Sequence, residues 1–186
     1  MKKILFILTI TICSSTIFAQ DKFFTKSGKI GFDATTPKSP EEIKGVNKTV
    51  TCVLDTKSGA IQFAVLMTGF EFERALMEEH FNENYVESAK FPRAEFKGQI
   101  DNNTNVKYSA DGQYSVKVKG KLSMHGVTRD VETTATLSIK SGKILAVGNF
   151  NVELSDFKIE VPTLVADKVA KTAVISVNCT LEPLKS

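Results

Sequence analysis

Apolar residues recur at every second position over most of this chain, the period of a strand with one buried face. Eight such stretches predict eight strands. The first, residues 22 to 33, places Phe24, Gly28, Ile30 and Phe32 on one face. The second, 47 to 55, carries Val50, Cys52 and Leu54, and the third, 60 to 70, carries Ile61, Phe63, Val65 and Met67. The fourth, 93 to 101, has Ala94, Phe96, Gly98 and Ile100, and the fifth, 113 to 124, has Tyr114, Val116, Val118, Gly120 and Leu122. The sixth, 127 to 139, has Val127, Val131, Ala135, Leu137 and Ile139. The seventh, 143 to 154, has Ile144, Ala146, Gly148, Phe150 and Val152. The eighth, 171 to 182, has Ala173, Ile175, Val177, Cys179 and Leu181. The alternate positions are mostly Lys, Glu, Ser, Thr, Asn and Gln, so each strand has a wet face.

One segment breaks the period. In residues 72 to 86, Phe72, Leu76, Phe81 and Tyr85 fall near helical spacing, with good helix formers in the first half. This predicts a short helix, fraying by Asn82, between the third and fourth strands.

One-sided strands joined by turns predict an antiparallel all-β fold. Eight of them close into a barrel or pack as two sheets. If they run alternately up and down, the links 56 to 59, 102 to 112 and 140 to 142 share one end. The links 34 to 46, 71 to 92 and 155 to 170 share the other, where His125-Gly126 makes the one tight turn. The first end is sewn shut; the second carries long, partly apolar flaps, as a cup with a mouth would.

The inward face mixes Phe24, Phe32, Phe63, Phe96, Tyr114 and Phe150 with Gly28, Gly98, Gly120 and Gly148, beside Val118 and Val177. An eight-stranded barrel is just wide enough to be filled by its side chains or to hold one ligand. The pattern alone leaves both readings open, since glycines also ease strand bending.

The N-terminus adds a compartment. Lys2 and Lys3 precede the apolar run Ile4 to Ile12, and Cys13 to Ala19 is short and small. That order predicts a signal peptide over residues 1 to 19, cleaved before Gln20, with a single domain over 20 to 186 and a periplasmic or secreted location. The apolar run is too short to span a bilayer, and the mature chain has no other candidate. The chain has 24 basic and 21 acidic residues; without Lys2 and Lys3 the excess falls from three to one. So nearly neutral a domain lacks the electrostatic footprint of a nucleic-acid binder.

Candidate chemistry is sparse. Cys52 and Cys179 face inward on strands separated by the first strand, about 9.5 Å apart at two strand spacings; this predicts two buried free thiols rather than a bridge. His80 and His125 read as solvent-facing, and no zinc spacing, nucleophile elbow, P-loop or dinucleotide fingerprint is present. No catalytic residue, metal or cofactor is therefore expected. Arg129 falls on the apolar face near the mouth, with Arg93 and Lys90 close by. They are candidate contacts for an anionic head group, with a snorkelling arginine as the plainer alternative.

Two stretches carry a resemblance. HFNENYVESAKFPRAEFKG, residues 80 to 98, and GKLSMHGVTRDVE, residues 120 to 132, resemble segments of the YceI-like family. The chain looks like a short variant of that family. Its first strand has Gly31-Phe32-Asp33 where the family usually carries a His-Ser pair, and Leu154-Ser155-Asp156-Phe157 lacks the family's arginine. The resemblance implies a lipocalin-like barrel, a periplasmic location and an apolar tunnel for a polyisoprenoid or other long-chain amphiphile. The expected partner is thus a lipid or isoprenoid small molecule, with a homodimer compatible. The rival readings are a lipid-modifying enzyme and a packed barrel acting as an adaptor through its outer surface.

Overall fold

The computed structural model describes residues 21 to 184. The expected signal peptide, residues 1 to 19, lies outside them. The strands are β1 (Lys22–Thr35), β2 (Lys44–Asp55), β3 (Ala60–Leu66), β4 (Phe70–Phe72), β5 (Arg93–Ile100), β6 (Gly112–Met124), β7 (Val127–Lys140), β8 (Lys143–Glu153) and β9 (Val169–Pro183). All pairings are antiparallel, in the order β1-β9-β8-β7-β6-β5-β3-β2, and β1 pairs with β2 to close an eight-stranded barrel. The short β4 adds to the mouth end of β2, Gly45 facing Phe72. Of the two outcomes the alternation allows, the chain takes the closed barrel, the lipocalin-like form that the resemblance implies; closure leaves no long edge of unpaired backbone.

The third predicted strand, 60 to 70, is in fact cut in two. After Leu66 the chain makes a 3₁₀ turn, Met67–Gly69, and resumes as β4. Asn47, fully buried, holds the corner: its Nδ2 donates to the Leu66 carbonyl at 2.8 Å, and its Oδ1 accepts from the Thr49 N–H at 2.9 Å. The predicted helix is present but shorter. Helix α1, Ala75–His80, passes into a π-helical turn, Phe81–Tyr85.

The first strand corrects the parity reading. The β1–β2 register shifts between Thr25 and Gly28, a bulge that turns the strand over. Below it Phe23 points inward, 7% exposed, while Phe24 is half-buried on the other face. Above it Gly28, Ile30 and Phe32 follow the expected alternation.

Two-residue hairpin turns close β6–β7 and β7–β8. Their central residues, His125 and Gly126 (φ 51° and 72°) and Ser141 and Gly142 (φ 50° and 73°), are both left-handed, the conformation that matches strand twist. The sewn end is filled. Leu54, Ile100, Val116, Leu137, Ile144 and Leu181 pack into a solid floor that also takes in Cys52 and Cys179. Both cysteines are free and fully buried. Burial pushes the Cys52 thiol well up, helped by its neighbour Cys179, and pushes Cys179 up to about 11. Tyr108 completes the floor, its hydroxyl donating to Asn103 Oδ1 at 2.7 Å.

Candidate functional site

Above the floor the barrel is hollow. A cavity of about 460 Å³ runs up to the mouth, and its lining is overwhelmingly apolar. Every barrel strand except β2 supplies part of the wall, from Ile30 and Phe32 on β1 to Ile175 and Val177 on β9. The segment after β4 roofs it with Leu76, Met77, Phe81 and Tyr85. Phe81 is the hub of that roof. Its ring lies 4.9 Å from Phe72, 5.3 Å from Phe70 and 5.6 Å from Phe32, all tilted. The π-helical turn starts at this residue, so the roof is anchored where the helix changes pitch.

Among the residues singled out in the sequence, Phe32, Phe63, Phe96, Val118, Gly148, Phe150 and Val177 stand on the cavity wall. Three do not. Phe24 is turned out by the β1 bulge. Tyr114 sits lower and packs against the floor cluster. Gly120 faces Gly98 across the β5–β6 pair, and the Phe96 ring occupies the space over both. A Cβ on Gly120 would lie 2.7 Å from Phe96 Cζ, 2.4 Å from the Lys97 carbonyl oxygen and 2.5 Å from Gly98 Cα.

The expected basic contacts are also displaced. Arg93 is exposed and sits opposite Leu66, which is 47% exposed, on the outer surface. The reason is parity: its neighbour Ala94 takes the inward position. Arg129 keeps the register opposite Leu122, but its side chain is exposed and stands off the cavity wall. The ionisable side chains at the cavity come mostly from the loops and the helix at the mouth. Glu41, Arg74, His80 and Lys168 border it, with Glu95 of β5 on its wall, and Arg74 Nε pairs with Glu41 Oε2 at 2.5 Å. Sequence reasoning missed Glu41, Arg74 and Lys168 because loop positions carry no period, and it read His80 only as solvent-facing.

His125 departs from its solvent-facing expectation. Its side chain is 8% exposed. Nδ1 donates to the Phe157 carbonyl at 2.8 Å, and Nε2 lies 2.8 Å from Glu87 Oε2. Phe91 stacks edge-on against the ring at 4.6 Å. One imidazole thus ties the β6–β7 turn to the end of the roof segment and to the strap that follows β8. The strap is itself buried at Leu154, Phe157 and Ile159. At the strap's far end, the Lys168 carbonyl accepts from the Ser39 and Thr36 hydroxyls, joining it to the loop after β1.

A family model for the YceI-like domain matches residues 19–181 of the chain. The chain belongs to the YceI-like family. Solved structures with this YceI-like fold include a polyisoprenoid binding domain from Saccharophagus degradans implicated in plant cell wall breakdown. It is 14% identical, with a TM-score of 0.76, over 89% of this chain and 99% of that one. Another is Burkholderia cenocepacia BcnA, 16% identical with a TM-score of 0.65, covering 83% and 95%. A third is the Campylobacter jejuni YCEI protein, 18% identical with a TM-score of 0.61, covering 81% and 90%. At these identities the likeness speaks to the fold. No curated protein matched the sequence. Among the described residues, no helix of this YceI-like barrel is long and apolar enough to cross a membrane.

Proposed function

We propose that the protein is an exported lipid carrier that holds a long-chain apolar or amphiphilic molecule inside its barrel, without chemistry on it. The observation that carries this reading is the cavity itself: apolar walls over a packed floor, opening at a mouth bordered by Arg74, His80 and Lys168. A buried chain gains roughly 0.8 kcal/mol per CH₂. At roughly 30 Å³ for each water-sized group, about 15 methylenes fit. That is a gross gain of roughly 12 kcal/mol, enough to offset much of an association cost of roughly 4–15 kcal/mol. The polar groups at the mouth suit a polar head left near solvent, with Lys168 and Arg74 as its contacts. The polyisoprenoid binding of the Saccharophagus relative supports the same class of ligand, and the signal-like N-terminus supports a periplasmic or secreted site of action.

The test is mass spectrometry under non-denaturing conditions on protein purified from its native source, followed by titration of delipidated protein with pyrene-labelled hexadecanoate. A retained lipid and saturable one-to-one probe binding are expected. A ligand-free protein that binds no apolar probe would sink the carrier reading.

A further inference from the structure

The barrel is closed in strand order, but not along its full height. Among the described residues, β7 and β8 pair only from Lys140↔Lys143 to Ala135↔Gly148. Both strands continue beyond that point. β7 runs on to Val127 fully paired with β6, and β8 runs on to Glu153 fully paired with β9. Between them the ladder is replaced by one side-chain bond, Thr133 Oγ1 donating to the Asn149 carbonyl at 2.8 Å. The open stretch of β8, residues 149 to 153, is about 17 Å long at roughly 3.3 Å per residue. It is bounded at its mouth end by the strap that His125 clamps.

Its two sides differ in character. The gap is walled by residues 130 to 133 of β7 and 149 to 151 of β8. Val131, Thr133 and Phe150 also line the central cavity, so the gap and the cavity share a wall. Outside stand Asp130, Glu132, Asn149 and Asn151, all exposed. Charge on a free strand edge hinders pairing with another chain, which fits an edge kept open without inviting association.

We propose that this gap is a side door of the barrel, through which the apolar chain of a ligand passes between the cavity and the outside. The proposal rests on the carrier reading and extends it. The floor is packed, so the cavity has two ways out, the mouth and this gap. The mouth is bordered by charged side chains and roofed by Phe81. The gap has Val131, Thr133 and Phe150 on its cavity side, and the Asp130 and Glu132 carboxylates on its outer rim pair with Lys121 and Lys119, leaving a passage between the strands for an uncharged hydrocarbon or isoprenoid tail. It also lets a tail longer than the cavity be held, with its excess emerging between the strands.

Locking the gap tests this. Glu132→Cys and Asn151→Cys are outward positions on either side of it, and a short bis-maleimide can tether them while Cys52 and Cys179 stay buried. Release of pyrene-labelled hexadecanoate, chased with unlabelled hexadecanoate, is timed alongside equilibrium titration. The tethered protein should release the probe at least ~10-fold more slowly, as expected when a gate limits exchange, with singly labelled variants at the wild-type rate. Phe150→Ala, which widens the gap without a tether, should release it faster. Normal binding with wild-type release rates in both the tethered protein and Phe150→Ala would overturn the side door and leave the carrier reading standing. A wild-type protein that binds no probe would overturn both.

Discussion

At the scale of single residues, the two inner glycines of β6 and β8 are no longer equivalent. A Cβ on Gly148 would meet Ala135 Cβ at 3.2 Å, a tight contact with a single methyl beside open cavity. A Cβ on Gly120 would collide with backbone of β5 and with the Phe96 ring. Gly148→Leu should therefore leave a folded protein with weakened probe binding, its added carbons taking ligand space. Gly120→Leu should lose roughly 1–3 kcal/mol or more through overpacking. Thermal unfolding and titration of both variants check this; equal loss of stability at both positions would refute it. The thiols give a second expectation. Cys52 and Cys179 bind their protons more tightly folded than unfolded. Their contribution to stability is therefore fully present below the ordinary thiol pKa, ~8.5. It is lost as pH rises from there through about 11, where Cys179 titrates in the fold. Chemical denaturation across pH 7 to 11 should show stability falling above about 8.5. A thiol reagent at pH 8 should find both groups only once denaturant is added.

At the scale of elements, the strand alternation was legible and its interruptions were not. All eight predicted strands exist within a few residues, because burial on one face imposes period two. The β1 bulge, which exchanges Phe23 for Phe24, leaves no mark in the apolar pattern, since both neighbours are phenylalanine. The break after Leu66 depends on Asn47, nineteen residues earlier, reaching over to cap a carbonyl. The same limit hid the strap. His125 sits in a turn by sequence, and only its partners Phe157 and Glu87 show it to be a clamp. His125→Asn keeps a residue tolerant of the left-handed φ but cannot span the same two bonds. It should leave the barrel folded and make residues 154 to 168 more open to limited proteolysis. A cleavage pattern identical to wild type would show that the clamp does not hold the strap.

At the scale of the whole molecule, half of the barrel is core and half is container. The floor of Leu54, Ile144 and Leu181 supplies stability that the hollow half cannot, so ligand loss need not unfold the protein. The cavity volume sets a length rule. Affinity for unbranched fatty acids should rise with chain length to about 15 carbons, as each methylene is buried, and then level off as further carbons pass out of the cavity. Titration with a series from ten to twenty carbons reads this directly; affinity that peaks and then falls steeply would mean that long chains find no exit.

By itself the sequence determined the eight barrel strands, their antiparallel pairing, the sewn end and the flapped end, and the YceI-like kinship. Those follow from local period, turn chemistry and two motif stretches, all of them properties of near neighbours in the chain. Only the tertiary structure decided how the interior is shared between packed floor and cavity, that Phe96 covers Gly120, and that Glu41, Arg74, His80 and Lys168 border the mouth. It alone decided that β7 and β8 part above Ala135 and Gly148. Each of these depends on what stands across the barrel from a residue, at a height set by strand register and bulges. Alternation records which face a residue takes, not what meets it there.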